Sequence, residues 1–286
     1  MPLAAQMTDA YGLFGHPVQH SWSPFIHGMF AKQTGQDMSY RLFDTPPARF
    51  RSEALAFLSQ EGLGANVTLP HKQAAAELVN ELTPRAQLAD AVNTIVRRDD
   101  GLVGDNTDGA GLVADLTVNL RLSWRAPRIL LLGAGGAARG AIAALLGLEP
   151  ATLAIANRTG ERAVELAEAF AELGPVSGCG YGDLGDERYD LVVNATSASL
   201  RGDVPPVPPT AVDALTTCYD MAYGVGDTAF VAWARGLGAA HAVQGWGMLV
   251  EQAAEAFELW RGIRPDTTPV LEALRSRAAM APRSRA

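Results

Sequence analysis

The sequence predicts an α/β protein with two domains. Strand-like and helix-like segments alternate along most of the 286 residues, and such alternation is typical of parallel sheets with right-handed helical crossovers. A chain of this length is long enough for two ordinary domains. Three zones follow one another, at residues 1–108, 109–244 and 245–286, and the second contains a strand that leads into a glycine-rich turn. We therefore expect a domain boundary near residue 108.

The first zone is predicted to alternate between strands and helices. Ser23 followed by Pro24 predicts a helix start, because serine caps free amide groups and proline suits the first helical position. Thr83 followed by Pro84 repeats this signal, and the turn residues Asp99–Gly101 predict a hairpin. The zone contains predicted strands at Tyr11–Gly15, Gly64–Leu69, Asn93–Arg98 and Leu102–Asp105, and predicted helices at Pro24–Thr34 and Lys72–Val79.

The second zone is predicted to contain a parallel sheet, and the third to be helical. A helix over Gly109–Asn119 is expected to cross between the domains, and the proline-rich Val204–Pro209 is expected to be a loop. In the third zone, apolar residues at helical spacing predict a helix over Met248–Trp260, followed by another over Pro269–Arg277. The remaining predicted elements are strands at Arg128–Leu132, Thr152–Ala156, Leu191–Ala195 and Cys218–Met221, and a helix at Glu161–Leu173.

The composition excludes several classes of function. Hydrophobic residues make up 48% of the chain and charged residues 19%, which is typical of a globular protein. The formal charge of −8 argues against nucleic acid or an anionic membrane as the main partner, because both bind basic surfaces. No apolar run predicts a membrane span, and Cys179 and Cys218 fit free thiols in a reducing compartment. We expect a cytoplasmic monomer or homodimer that acts on a small molecule.

A glycine-rich turn follows the strand predicted at residues 128–132. Its pattern, Gly133-x-Gly135-x-x-Ala138, indicates dinucleotide binding when a strand precedes it and a helix follows. Gly133 permits a tight turn, Gly135 lets amide groups approach a pyrophosphate, and Ala138 lets the helix pack closely. An ordinary turn of small residues is the alternative, and the complete βαβ unit makes it the weaker one. We predict a Rossmann-type domain that holds the pyrophosphate on the helix N-terminus.

The end of the next strand indicates which dinucleotide is bound. NAD-binding sites usually carry an acidic residue there, which pairs with the ribose 2′-hydroxyl. This chain has Asn157, Arg158 and Thr159, with Arg162 one helical turn further on. Two guanidinium groups would bind a 2′-phosphate through charge-assisted hydrogen bonds. The alternative is a solvated helix start, but cations there oppose the helix dipole. NADP is therefore predicted over NAD.

Polar side chains gather at predicted strand ends of the first zone. Such positions can converge on a cleft, and hydroxyls and amides suit a polyhydroxylated ligand. We find no hydrolase triad and no cluster of metal ligands. Taken singly, each residue has an ordinary interpretation as a cap, a turn residue or a solvated lysine. The set comprises Ser21, Ser23, the segment Asn66–Lys72 with Asn66, Thr68 and Lys72, then Asn93, and the segment Gly104–Gly109 with Thr107 and Asp108.

Together, these motifs resemble those of the shikimate dehydrogenase family over about Tyr11 to Leu274. The resemblance implies a substrate domain at residues 1–108, completed by the helices of residues 245–286, a Rossmann-type NADP domain at 109–244, and a cleft between them. It implies an NADP-dependent oxidoreductase of aromatic amino-acid biosynthesis that interconverts 3-dehydroshikimate and shikimate. The matching segments are Phe14–Pro17, His20–Pro24, Ala65–Lys72, Ala91–Thr94, Gly104–Gly109, Gly133–Ala138, Asn157–Thr159 and Gly247–Ala253.

The resemblance also implies a role for individual residues. Lys72 and Asp108 match the catalytic pair, in which Lys72 would protonate the alkoxide left by hydride transfer and Asp108 would hold its ammonium. The substrate-binding positions are Ser21, Ser23, Thr68, Asn93, Asp108, Tyr223 and Gln252. The cofactor-binding positions are Gly133, Ala134, Gly135, Gly136, Ala137, Asn157, Arg158, Thr159, Arg162, Thr196, Met221 and Gly245.

The chain departs from the pattern of the shikimate dehydrogenase family at three places. Gln244 stands where Asp is common, Ala198-Ser199 where Ser-Gly is common, and Ala222 where a bulkier residue is usual.

Three other functions stay open. The first is a quinate/shikimate dehydrogenase, which shares the lysine–aspartate pair and often uses NAD, with an acidic residue at the position of Asn157. A sensor that binds both ligands without turnover would not need Lys72, and a purely structural dinucleotide-binding module would not need the polar set.

Overall fold

Two compact units, each built on one six-stranded sheet, make up the chain. The computed structural model describes residues 8–280, apart from the side chain at position 200, so residues 1–7 and 281–286 of the expected first domain lie outside it. The first unit contains the described residues up to Thr107 together with Val250–Val270, and the second contains Asp108–Leu249 and the residues from Leu271. Of residues 245–286, therefore, only Val250–Val270 group with the first unit. The predicted α/β class is confirmed.

The sheet of the first unit is mixed. Its strands are β1 (Asp9–Gly15), β2 (Met38–Asp44), β3 (Gly62–Val67), β4 (Glu81–Leu82), β5 (Thr94–Arg98) and β6 (Gly101–Asp105). Their order is β2-β1-β3-β5-β6-β4. β1 runs parallel to β2 and β3, whereas β5 runs antiparallel to β3 and β6. The hairpin predicted at Asp99–Gly101 is thus confirmed.

The helices of the first unit are α1 (Ser23–Thr34), α2 (Pro47–Gln60), α3 (Lys72–Ala76) and α4 (Pro84–Ala89). The predicted cap at Thr83 is confirmed, since its side chain accepts a hydrogen bond from the Ala86 amide at 3.3 Å. The predicted cap at Ser23 is wrong. Trp22 occupies the cap position without a side-chain bond, because Ser23 is already the first helical residue and its amide donates to Ser21 Oγ.

The sheet of the second unit is entirely parallel, as predicted. Its strands are β7 (Arg128–Leu132), β8 (Thr152–Asn157), β9 (Val176–Gly180), β10 (Leu191–Asn194), β11 (Thr217–Asp220) and β12 (His241–Gln244). Their order is β12-β11-β10-β7-β8-β9. The chain moves outward from β7 in one direction and from β10 in the other, so the strand order reverses between these two strands. Ligands of open α/β sheets bind at such a reversal, beyond the carboxyl ends of the strands.

The helices of the second unit are α5 (Asp108–Ala114), α6 (Gly136–Leu146), α7 (Gly160–Glu168) and α8 (Ala229–Gly236), and short 3₁₀ turns lie at Tyr181–Asp183, Ser199–Arg201 and Pro209–Ala211. α9 (Trp246–Arg261) begins in this unit and ends in the first, and α10 (Thr268–Met280) does the reverse. The helix predicted over Gly109–Asn119 continues from α5 as a π-helical turn over Asp115–Asn119. Within residues 8–280, no helix has the length and hydropathy to cross a membrane.

Candidate functional site

The glycine-rich turn connects β7 to α6 and leaves the helix N-terminus open. Gly133 has a φ of 106°, which favours glycine, and its amide donates to the Ala156 carbonyl at 2.8 Å. No side chain caps α6, and a Cβ placed on Gly135 or Gly136 would meet nothing within 4 Å. Ala138 is fully buried where the helix meets the sheet. The first amide groups of α6 therefore fit a pyrophosphate.

Two arginines stand beside this turn, at the end of β8 and the start of α7. Arg158 and Arg162 are exposed, and neither forms an ion pair with any other residue that the structure describes. The backbone between them is ordered, because Asn157 Nδ2 donates to the Thr159 carbonyl at 2.9 Å. Two cations without an acidic partner fit a phosphate at this position.

Tyr181 is a further residue beside these arginines that the sequence analysis missed. It directly follows β9, whose last residue pairs in register with Asn157. Burial raises the pKa of the Tyr181 hydroxyl, and the Arg158 guanidinium offsets part of that rise. In the sequence, Tyr181 is simply an aromatic residue that follows a glycine-containing segment. Because β9 itself was not predicted, nothing indicated that Tyr181 lies beside the arginines.

A buried network holds the loops after β10 and β11. Asn194 Oδ1 accepts hydrogen bonds from the Thr196 hydroxyl at 2.7 Å and from the Thr196 amide at 3.1 Å. The same asparagine donates from Nδ2 to Asp220 Oδ1 at 3.1 Å. Asp220 also accepts from the Thr228 hydroxyl at 2.7 Å and the Ala222 amide at 3.1 Å. Burial raises the pKa of the Asp220 carboxyl, and these hydrogen bonds limit the rise.

The network explains one departure from the family pattern. Ser199 donates its hydroxyl to Asp220 Oδ2 at 2.5 Å and accepts from Asn194 Nδ2 at 3.2 Å. The serine of Ala198-Ser199 is therefore part of the support for the loop that carries Thr196. Asn194 and Asp220 are the last residues of β10 and β11. Sequence reasoning missed both as site residues, because each lies inside a predicted strand and one residue before its predicted end.

Two predicted cofactor residues come together at the ends of β11 and β12. The Gly245 amide donates to the Ala222 carbonyl at 3.1 Å. A Cβ on Gly245 would lie 2.5 Å from the Met221 carbonyl oxygen, so only glycine permits this approach. Nearby, the ring of the predicted substrate residue Tyr223 packs against Trp246 with ring centroids 4.6 Å apart, and burial raises the pKa of its hydroxyl.

In the first unit, Asn93 is the centre of a second polar cluster. It is buried and donates from Nδ2 to Thr107 Oγ1 at 2.9 Å and to Gln252 Oε1 at 3.4 Å. Its Oδ1 accepts from the Thr107 amide at 2.9 Å and from the Thr94 hydroxyl at 2.9 Å. Two predicted substrate residues, Asn93 and Gln252, are thus in contact. Thr107 belongs to the predicted polar set, but neither it nor Thr94, which both hold Asn93, was predicted to bind substrate.

Other predicted polar residues of this unit lie at the end of β3 or just before and at the start of α1. Asn66 donates from Nδ2 to the Asn93 carbonyl at 3.2 Å and accepts from the Tyr40 hydroxyl at 2.7 Å. Thr68 follows β3, and its amide donates to the Phe14 carbonyl at 2.9 Å. Ser21 donates its hydroxyl to Ser23 Oγ at 3.1 Å.

The two predicted catalytic residues each begin a helix. Lys72 is half-buried at the start of α3, and its carbonyl accepts from the Val92 amide at 2.9 Å, which holds it beside the segment that carries Asn93. Asp108 begins α5, where a carboxylate is favoured by the helix dipole. The pairing of Lys72 with Asp108 stays a prediction.

Comparison with known sequence families gives three matches along the chain. Residues 13–95 match the family described as "Shikimate dehydrogenase substrate binding domain". Residues 115–201 match "Shikimate / quinate 5-dehydrogenase", and residues 245–275 match "Shikimate 5'-dehydrogenase C-terminal domain". The curated relative "Shikimate dehydrogenase (NADP(+))" of Aeromonas hydrophila is 55% identical over 268 residues, which cover 93% of this chain and 97% of that protein.

Solved structures agree with these matches over nearly the whole chain. An Ael1 enzyme from Pseudomonas putida superposes with a TM-score of 0.88 at 43% identity, covering 93% of this chain and 98% of that one. A shikimate 5-dehydrogenase from Thermus thermophilus, solved with NADP(H) and shikimate, superposes with a TM-score of 0.81 at 33% identity, covering 94% of this chain and 99% of that one.

Proposed function

The chain belongs to the shikimate dehydrogenase family, and from that membership we propose that it interconverts 3-dehydroshikimate and shikimate with NADP as cofactor. The observation that carries the proposal is the pair of exposed arginines, Arg158 and Arg162, beside the uncapped N-terminus of α6. That combination fits a dinucleotide with an additional phosphate on its ribose. We assign NADP binding to the second unit and substrate binding to the first.

The polar cluster of the first unit suits the substrate. Asn93 and Gln252 present amides beside several hydroxyl groups, and short polar groups of this kind recognise a polyhydroxylated acid. Asn93 is held by four hydrogen bonds to Thr94, Thr107 and Gln252. A side chain fixed in this way loses little conformational entropy when the ligand binds.

The chemistry requires a proton donor for the reduced ketone. NADP, when bound in its reduced form, supplies the hydride. Lys72 would donate a proton from Nζ to the oxygen that becomes the alcohol, and its positive charge would stabilise the developing oxyanion. Asp108 would hold the ammonium of Lys72 and take part in moving the proton in the reverse direction.

Activity can be tested by following formation of the reduced nicotinamide in four mixtures: shikimate or quinate, each with NADP or NAD. We expect rapid reduction of NADP by shikimate and slow reduction in the other three mixtures. Comparable turnover of quinate with NAD would identify the chain as a quinate/shikimate dehydrogenase. Binding of both shikimate and NADP without hydride transfer would support a sensor and overturn the proposal.

Removal of the arginines is expected to change cofactor preference. Each charge-assisted hydrogen bond contributes about 1.5–3 kcal/mol, so Arg158→Ala or Arg162→Ala should raise the KM for NADP by roughly 10-fold or more. The KM for NAD should change little, because NAD has no 2′-phosphate. Arg188→Ala, which removes an exposed arginine of the same unit, serves as control. Equal KM increases for both cofactors would contradict a phosphate clamp.

A further inference from the structure

Gln244, the last residue of β12, holds the loop that follows β11. Its Oε1 accepts a hydrogen bond from the Gly224 amide at 2.9 Å, and its Nε2 donates to the Gly226 carbonyl at 2.8 Å. Gly224 offers a donor and Gly226 an acceptor, so the two bonds fix the orientation of the side-chain amide. A single side chain thus connects both ends of a three-residue loop, Gly224–Gly226.

The loop is open to solvent and to a cavity on one side. Val225 at its centre is 44% exposed, and Gly226 has a φ of 83°. The loop, Gln244 and Trp246 all line a cavity of about 380 Å³ in the second unit. The bonds to Gln244 therefore help to fix the position of the loop, together with the ion pair that Arg235 forms with Asp227, the residue that follows it.

Tyr223 directly precedes this loop, and its position is fixed from two directions. Ala222, on its other side, donates from its amide to Asp220 and accepts from the Gly245 amide, each at 3.1 Å. The ring of Tyr223 lies against Trp246, which is only 7% exposed, with ring centroids 4.6 Å apart. Gln244 completes this arrangement by holding the residue that follows Tyr223.

A carboxylate at position 244 could not make both bonds. Aspartate is one methylene shorter than glutamine and offers acceptors only, so it has no donor for the Gly226 carbonyl and would repel it. The Gln244 departure from the common aspartate therefore gives this chain its own way of holding the loop. Trp246, which follows Gly245, supplies the ring that packs against Tyr223.

We propose that Gln244 and Trp246 are positioning residues that fix the Tyr223 ring and thereby determine how tightly, and which, polyhydroxylated acids bind. Neither residue needs to touch the substrate in this role, since both act through Tyr223. The inference rests on the proposed function, because it assigns Tyr223 to the substrate site of that reaction.

The test compares Gln244→Glu with the unchanged protein. Glutamate keeps the size of glutamine and the acceptor for Gly224 but loses the donor to Gly226. We expect the KM for shikimate to rise about 10-fold, as for loss of one hydrogen bond with a repulsive contact in its place, with the KM for NADP unchanged. Trp246→Leu should raise the shikimate KM in the same direction. Gln87→Glu serves as the matched control. It removes an amide donor to the Leu82 carbonyl in the first unit, and it should leave the KM for shikimate and the KM for NADP unchanged.

A double-mutant cycle separates positioning from a general structural effect. In a Tyr223→Ala background, Gln244→Glu should change the shikimate KM less than 2-fold, because the ring that it positions is gone. An equal effect with and without Tyr223, or an unchanged shikimate KM in Gln244→Glu, would overturn the inference. Absence of shikimate turnover in the unchanged protein would instead overturn the proposed function.

Discussion

Replacement of Lys72 by alanine is expected to lower kcat by roughly 10²–10⁴-fold, the usual contribution of a positioned proton donor. The KM for shikimate should rise only a few-fold, because the hydroxyl and amide groups around Asn93 are unchanged. The physical reason is that hydride transfer leaves an alkoxide, which water protonates less effectively than an ammonium held in place. Steady-state kinetics in both reaction directions measure the two constants separately.

The composition of the chain strengthens this expectation. Of its 23 cationic residues only Lys32 and Lys72 are lysines, and the other 21 are arginines. Arginine remains protonated in proteins, whereas lysine can release a proton. A chain that uses arginine almost everywhere for positive charge has lysine at the position where a transferable proton is needed.

Two further variants distinguish proton transfer from charge. Lys72→Arg retains the positive charge but cannot give up a proton, so its kcat should remain close to that of Lys72→Ala. Lys32→Ala removes the other lysine, which is exposed on α1, and should leave kcat unchanged. Turnover of Lys72→Ala near the level of the unchanged protein would remove Lys72 from the mechanism.

The sequence predicted the elements whose apolar pattern is long and clear. The strand at Arg128–Leu132 has the bounds predicted for it, since five consecutive apolar or long side chains end at a glycine. β2, β4, β9 and β12 were not predicted, because β4 has only two residues, β9 contains two glycines, and β2 and β12 mix polar with apolar residues. α7 ends at Glu168 and not at Leu173, since the chain turns before Gly174 and Pro175.

Site residues also differ in how well the sequence predicts them. Gly133 and Arg158 could be predicted, because a local motif places them at a turn. Asp220 and Gln244 could not, since their roles depend on partners 21 and 20 residues away, at Ser199 and Gly224. Hydrogen bonds of this range leave no periodic signal in a single sequence.

The π-helical turn after α5 is another feature that the sequence did not predict, and a buried carboxylate lies at its start. Asp115 is fully buried, and its Oδ2 accepts from the Tyr219 hydroxyl at 2.6 Å. Tyr219 Oη in turn accepts from the Met248 amide at 3.3 Å, in the first turn of α9. Burial and the neighbouring Asp115 raise the pKa of Tyr219, so the hydroxyl remains a donor. This chain of bonds joins the π-helical turn, β11 and the start of α9.

Gly247→Ala is therefore expected to lower the free energy of unfolding by about 3 kcal/mol or more, as overpacking combined with a broken buried hydrogen bond. A Cβ at position 247 would lie 1.8 Å from Asp115 Oδ1, and Asp115 cannot move away without leaving Tyr219 and Asn119, which donates to Oδ1 at 2.9 Å. Urea unfolding followed by circular dichroism measures the change.

Matched variants show whether contact with the Asp115 carboxylate causes the loss of stability in Gly247→Ala. Gly236→Ala, in α8 of the same unit, adds a Cβ that meets nothing within 4 Å, and stability should change by less than about 1 kcal/mol. Asp115→Ala removes the carboxylate that Gly247→Ala would strike, so adding Gly247→Ala to it should cost much less than the same change alone. If Gly247→Ala unfolds at the same urea concentration as the unchanged protein, or if Asp115→Ala does not relieve its cost, the steric account is wrong. In the second case, the cost of Gly247→Ala would have to come from the backbone of α9 and not from the Asp115 carboxylate.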